Sequence, residues 1–249
     1  MTSLVYDLHS HTTASDGVLT PDELIKRARH RGVNVLAVTD HDTTSGLSEA
    51  QESATSHGIT LVHGIELSVT WQKNHVHIVG LNINASSDRL KTRLAAVQKI
   101  RQARAQEMAQ RLEKVGINNA LVGAQGFSLN NNITRTHFAR YIVSIGRART
   151  MSEVFKRYLV HGKPGYVSVD WTPLDEAVEL IQSVGGCAVV AHPSRYKMTN
   201  SKMKKLLAAF SDVGGAGIEV INRQKGACFI IFLPVMHTKT TNGDAAGHP

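Results

Sequence analysis

The chain has 249 residues, 42% of them hydrophobic and only 5% aromatic, which suits one α/β barrel, or one core domain with an insertion, built on Val, Ile, Leu and Ala. No apolar stretch reaches the roughly 18 residues that span a bilayer. The start lacks the basic and apolar regions of a leader, and Cys187 and Cys228 are too few for a disulfide framework, so a cytosolic protein without membrane association is expected. The net charge of +8 is concentrated: Ser86 to Lys163 holds 15 Lys or Arg against 4 Asp or Glu, a net of +11, leaving −3 for the rest. A near-neutral, His-rich body with one basic segment points to a polyanionic substrate, nucleic acid or a nucleotide, the plain alternative being a solvated helical face.

In chain order, Leu4 to Leu8 reads as a short buried strand ending at His9. Thr20-Pro21-Asp22-Glu23 predicts a helix start, with Thr20 as N-cap, Pro21 at the first helical position and Glu23 closing a capping box, and Gly32 is placed to stop that helix. Val33 to Val38 predicts the second strand, Leu47 to Ser56 a helix, and Thr60–Val62 and Val76–Leu81 further strands. From Asp88 to Val115 apolar residues recur at helical spacing between Arg and Lys, and Thr150 to Glu153 has the form of another capping box. A helix over Leu174–Val184 and strands at Cys187–Ala191 and Gly217–Ile221 complete the series. The alternation predicts parallel β/α units. The division expected is a barrel over 1–85 and 164–221, a basic helical insertion over 86–163, and an atypical tail over 222–249.

Chemistry gathers at the strand ends, where barrel folds place their sites. His9-Ser10-His11 puts two imidazoles on one side of a strand, and Asp16 follows in the next loop. Thr39-Asp40-His41-Asp42, Gly64-Ile65-Glu66, His75-Val76-His77 and Ala191-His192-Pro193 sit at the ends of other strands. A lone His is more often a satisfied polar residue than a ligand; a His or carboxylate at nearly every strand end is hard to explain by packing. Mixed imidazole and carboxylate suits Mn²⁺, Fe²⁺ or Zn²⁺ better than the all-oxygen cages of Ca²⁺ or Mg²⁺. Asp40 and Asp42 read as supporting or proton-transfer groups, with an N-cap role open for Asp42. His30, His57, His63, His137 and His161 read as structural or exposed.

The order H-x-H, D-G, T-D-H-D, G-x-E, H-I-V-G-L and A-H-P resembles the polymerase-and-histidinol-phosphatase (PHP) phosphoesterases from about Tyr6 to about Val220. It is closest to the branch containing nucleoside 3′,5′-bisphosphate phosphatases and 5′-to-3′ exoribonucleases. The resemblance implies a distorted (β/α)7 barrel with up to three metal ions, most often manganese. It implies His9, His11 and Glu66 at a first ion, Glu66, His77 and His192 at a second, and Asp16 and His41 at a third. It favours His77 over His75.

Arg101-Gln102-Ala103-Arg104 sets two guanidiniums three apart on a helix, Thr134 and Arg135 open T-R-x-H-F-A-R, and Arg195 follows His192-Pro193. Arginine forks suit phosphate oxygens, and these pieces too resemble the family's, so Arg101, Arg104, Thr134, Arg135 and Arg195 are the expected substrate-binding residues. The family's late Gly-Ser-Asp-x-His, which supplies ligands to the first and third ions, is not found in this sequence. The resemblance stops abruptly near residue 222, which a frameshift explains best, truncation and divergence being the alternatives. The last strand or strands are therefore expected to be missing and activity reduced, with Asp244 and His248 poor substitutes. The function expected is metal-dependent hydrolysis of nucleotide phosphate esters or RNA 5′ ends, with no protein partner implied. The rivals are a histidinol-phosphatase-like enzyme for small esters and an inactive nucleotide- or RNA-binding remnant.

Overall fold

Short β-branched runs bounded by glycine and polar turns become strands, and an eight-stranded sheet curls through the molecule. A computed structural model describes residues 4–130, 132–222 and 227–232. Strands β1 (Tyr6–Ser10), β2 (Val35–Val38) and β3 (Thr60–Trp71) pair in parallel, separated in sequence by helices α1 (Pro21–His30) and α2 (Leu47–His57). β4 (Asn74–Leu81) then pairs antiparallel with both β3 and β6 (Cys187–Val190), and β7 (Gly217–Asn222) returns parallel to β6. The two-residue strand β5 (Thr172–Pro173) pairs with β3 and leads into α7 (Leu174–Ser183).

The purely parallel expectation is therefore corrected at β3–β4. Gln72 and Lys73 both take positive φ, 45° and 63°, which makes a tight hairpin turn whose twist suits the flanking strands. β3 runs on to Trp71, so Glu66 lies inside a strand and not at its end. Antiparallel register then sets Ser68 opposite His77 and Glu66 opposite Val79, on one face. The alternate residues Ile65, Leu67, Val69, Val76 and Ile78 face the other way, into a core shared with Val178 and Ile181 of α7. Gly64 lets β3 approach β2: a Cβ there would stand 2.7 Å from Thr39 Cγ2. Beneath the site, Ala37, Val79, Val189 and Ala191 line the inside of the curled sheet.

Thr20 caps α1 with both bonds of the box, and Gly32 follows that helix at φ +77°, as its sequence predicts. Thr150 caps α6 (Met151–Val154) through Glu153 N–H, but the Glu153 carboxylate accepts from Arg149 N–H and leaves that box half made. A π-helical turn over Phe155–Leu159 continues α6. α3 (Asp88–Glu113) joins two cores: Leu90 and Leu94 pack on the barrel, whereas Met108 and Leu112 pack with Phe138 and Ile142 of α5 (Arg135–Ser144) and with α4 (Ala120–Gln125). Helix α8 (Asn200–Asp212) was not expected; Thr199 caps it, and Leu206 and Phe210, four apart, bury its inner face.

The tail differs from expectation as well. Ala227–Phe232 forms β8, antiparallel to β7, where the sequence had lost its strand pattern. Among the described residues no pairing joins β8 to β1, so the sheet remains open. Asp244 and His248 lie outside the described residues.

Candidate metal centre

The hairpin carries Glu66 to the middle of the site, 1% exposed, and five imidazoles converge on it. Oε1 lies 2.8 Å from His77 Nδ1 and 2.9 Å from His192 Nε2. Oε2 lies 3.2 Å from His9 Nε2, 3.1 Å from His11 Nε2 and 3.2 Å from His41 Nδ1. Oε1 thus faces two imidazoles and Oε2 three. Asp16 completes the group, 3.7 Å from His11 Nδ1. All seven sequence-predicted ligands are in one cluster, and single donor atoms lie within 4.8 Å of one another in the sets His9–Glu66–His192, His11–Asp16–His41 and His41–Glu66–His77.

This donor set fits divalent cations. A carboxylate offers about four lone-pair positions, too few to satisfy five imidazole N–H donors at once. Among the described residues, buried His41 Nδ1 and His192 Nδ1 have no hydrogen-bond partner; His41 Nδ1 is near Glu66 without hydrogen-bond geometry. His9 Nε2 and His11 Nε2 face each other at 3.1 Å, a contact that a shared cation between two lone pairs would relieve. Burial alone would raise Glu66, yet the imidazoles, His41 and His77 first, hold its carboxyl well below the usual range. Burial pushes the His41 pKa down, against the opposing pull of Glu66 and Asp16. Burial opposes charge on His9 too, but Glu219 and Glu66 outweigh it and bring that ring up to about 10. Asp16 is brought down to about 2 against its burial, chiefly by His41 and His11.

The supporting contacts explain why the loops hold their shape. Asp40 accepts from Thr12 N–H at 2.8 Å, from Thr12 Oγ1 at 2.6 Å and from Ser15 Oγ at 2.5 Å, fixing the loop that carries His11 and Asp16. Thr136 Oγ1 donates to Asp16 Oδ2, and Asn132 donates to the His41 carbonyl, both at 2.8 Å, so the insertion pins two ligand loops. Asp42 does not cap a helix: buried, it accepts from Ser68 N–H at 2.8 Å and pairs with the Arg101 guanidinium. Tyr196, unremarked in the sequence, accepts from His77 N–H at 2.8 Å and donates to the Ala191 carbonyl at 2.7 Å.

Above the centre a cleft of about 900 Å³ runs between barrel and insertion, and Arg101, Arg104, Thr134, Arg135 and Arg195 all line it. Their situations differ. Arg101 is 4% exposed and committed to Asp42 and Ser68. Arg104 stacks on Trp171 at 5.5 Å and, among the described residues, makes only a long contact to the Val167 carbonyl; burial, then Arg135 and Arg101, pushes its pKa down to about 9. Arg135 sits over Phe155, lowered by burial, and neither it nor Arg104 has a carboxylate partner among the described residues. Thr134 is the N-cap of α5, and Arg195 stands exposed in a short 3-10 turn. His75 shares the face of His77 but points toward the arginines, and burial with Arg104 and Arg135 lowers its pKa. His161, exposed, reaches the cleft beside Tyr166, whereas His137 accepts from Thr134 N–H in a capping box.

A curled α/β sheet with half-buried imidazoles around a buried carboxylate at its centre is the architecture of a metal-dependent phosphoesterase class. The chain belongs to the PHP domain family, which matches residues 7–221. It is 45% identical over 215 residues to a 5′-3′ exoribonuclease of Haemophilus influenzae, covering 86% of this chain and 78% of that protein. It is 46% identical over 215 residues to a 3′,5′-nucleoside bisphosphate phosphatase of Chromobacterium violaceum, covering 86% of this chain and 75% of that one. A solved amidohydrolase structure from Chromobacterium violaceum, with bound sulfate and no metal, superposes with a TM-score of 0.84 at 45% identity, over 86% of this chain and 75% of that one. Family and relatives together place the chain among hydrolases of phosphate esters. No helix among the described residues is long and apolar enough to cross a membrane.

Proposed function

We propose that the chain hydrolyses phosphate esters of nucleotides or of RNA 5′ ends, using divalent cations, Mn²⁺ before Fe²⁺ or Zn²⁺, held by His9, His11, Asp16, His41, Glu66, His77 and His192. The observation that carries this reading is the juxtaposition in one cleft of an imidazole-ringed carboxylate with two arginines, Arg104 buried and Arg135 half-buried, that lack acidic partners among the described residues. When bound, such cations activate water and neutralise a phosphoryl group under attack. Arg104 and Arg135 supply the charge for a second phosphate, and burial strengthens each contact they make. Arg101, held by Asp42, sets the wall from which Arg104 projects, and Trp171 stacks under both guanidiniums at 5.2 and 5.5 Å. Thr134 fixes the start of α5, and Arg195 offers an exposed cation in the same cleft.

A small monoester such as histidinol phosphate would leave Arg104 and Arg135 without use. The second reading is a nucleotide- or RNA-binding protein with little turnover, built on the same arginine-lined cleft. The test is release of phosphate from a nucleoside 3′,5′-bisphosphate, and of mononucleotides from 5′-phosphorylated RNA, in Mn²⁺ and in excess chelator. Manganese-dependent turnover abolished by His192→Ala supports the enzyme. Tight nucleotide binding without turnover supports the second reading.

A further inference from the structure

Glu219 belongs to none of the three ligand sets, yet it touches two members of one of them. It sits on β7, 7% exposed, and its Oε2 lies 3.1 Å from His9 Nδ1 while accepting the His192 backbone N–H at 2.6 Å. His9 turns its other nitrogen, Nε2, toward Glu66 and His11. The ring is therefore held from both sides: with the proton on Nδ1 donated to Glu219, the Nε2 lone pair faces the centre. His192 has φ 29° and ψ 56°, a left-handed backbone that a side-chain-bearing residue adopts only at a cost. The Glu219 carboxylate satisfies the N–H of that residue, so the conformation aiming the His192 ring at Glu66 is tied to β7.

We propose that Glu219 is a positioning residue for the metal centre: it fixes His9 as the Nδ1–H tautomer and anchors the His192 backbone, so that both rings present Nε2 toward Glu66. The inference rests on the metal-binding reading above and extends it to β7. Carboxylates behind ligand histidines set ring orientation and basicity, and removing one typically costs about ten- to a hundredfold in metal affinity. Glu219 acts on two of the three ligands of its set, one through the ring and one through the main chain. Loss of its carboxylate should therefore weaken that set as a unit.

The test uses the full chain with Glu219→Ala, Glu219→Gln and, as reference, His192→Ala. Manganese affinity is read by competition with a chelator, and the His9 tautomer by ¹⁵N NMR of the metal-free protein on the alkaline side of the His9 pKa, where the ring is neutral. Expected are an affinity loss of about ten- to a hundredfold for Glu219→Ala, a smaller loss for Glu219→Gln, whose amide oxygen still accepts from His192 N–H, and a reduced Nδ1–H share at His9 in both. If Glu219→Ala does not fold, Glu219→Gln decides on the same two readouts. Manganese binding lost in His192→Ala but untouched by both Glu219 variants, with the tautomer unchanged, overturns this inference and leaves the metal reading standing. If the natural chain retains no manganese, the metal reading fails, and the His9 tautomer alone decides whether Glu219 orients the ring.

Discussion

On the barrel side of the cleft, five imidazoles surround one buried carboxylate; on the insertion side, buried Arg104 and half-buried Arg135 face no carboxylate among the described residues. Between them Arg101, also buried, is paired with Asp42. The same cost, charge removed from water, is met in three ways within one cleft. Arg101 is matched inside the protein and so serves architecture. Glu66 is crowded by more donors than it can satisfy, which points to cations. Arg104 and Arg135 are left for an anion from outside. The partner that a buried charge lacks identifies its ligand better than the charge itself.

The largest expected break comes from Glu66→Ala. It removes the group common to His9, His11, His41, His77 and His192, and hydrolysis should fall roughly a thousandfold, about 4 kcal/mol of barrier, with retained metal falling in parallel. Steady-state turnover together with elemental analysis checks both. Next is Asp42→Ala, which strands the Arg101 guanidinium in a buried site and should destabilise the fold by about 3–5 kcal/mol. Urea unfolding reads that loss; a shift below about 1 kcal/mol would mean that water reaches Arg101 and the contrast with Arg104 is weaker than drawn here.

Arg104→Ala and Arg135→Ala should each leave stability nearly intact and raise KM for a nucleoside bisphosphate by one to two decades, about 1.5–3 kcal/mol for one charge-assisted contact. A simple aryl phosphate, with no second phosphate, should be little affected. Equal effects on both substrates would assign these arginines to structure, like Arg101. The smallest effect is expected at Arg93, whose pair with Glu176 is solvent-exposed: Arg93→Ala should cost between 0 and about 1 kcal/mol and leave KM unchanged.

The seven candidate ligands were legible because they are residue types that seldom cluster without a ligand, recurring at or near the ends of the predicted strands. What their spacing did not convey was the hairpin. Thr60–Val62 looked like a complete strand, but Gln72 and Lys73 turn a twelve-residue β3 back on itself, and only that register brings Ser68 and His77 together beside Glu66. The arginines were legible as a group and not as individuals, since R-x-x-R does not say which guanidinium meets Asp42. Glu219 gave no signal because its role depends on β7 lying beside β6, a contact between residues far apart in sequence. β8 was hidden by the loss of alternation after Ile221, and α8 by lysines that mask the Leu206–Phe210 spacing.

The central claim is that the imidazole-ringed Glu66 holds divalent metal. Its most direct test is elemental analysis of the purified natural chain after equilibration with Mn²⁺ and desalting, beside Glu66→Gln and His192→Ala. The account predicts at least one manganese ion per natural chain, a reduced content in His192→Ala and almost none in Glu66→Gln. Equal manganese in all three proteins, or none in the natural chain, would contradict it.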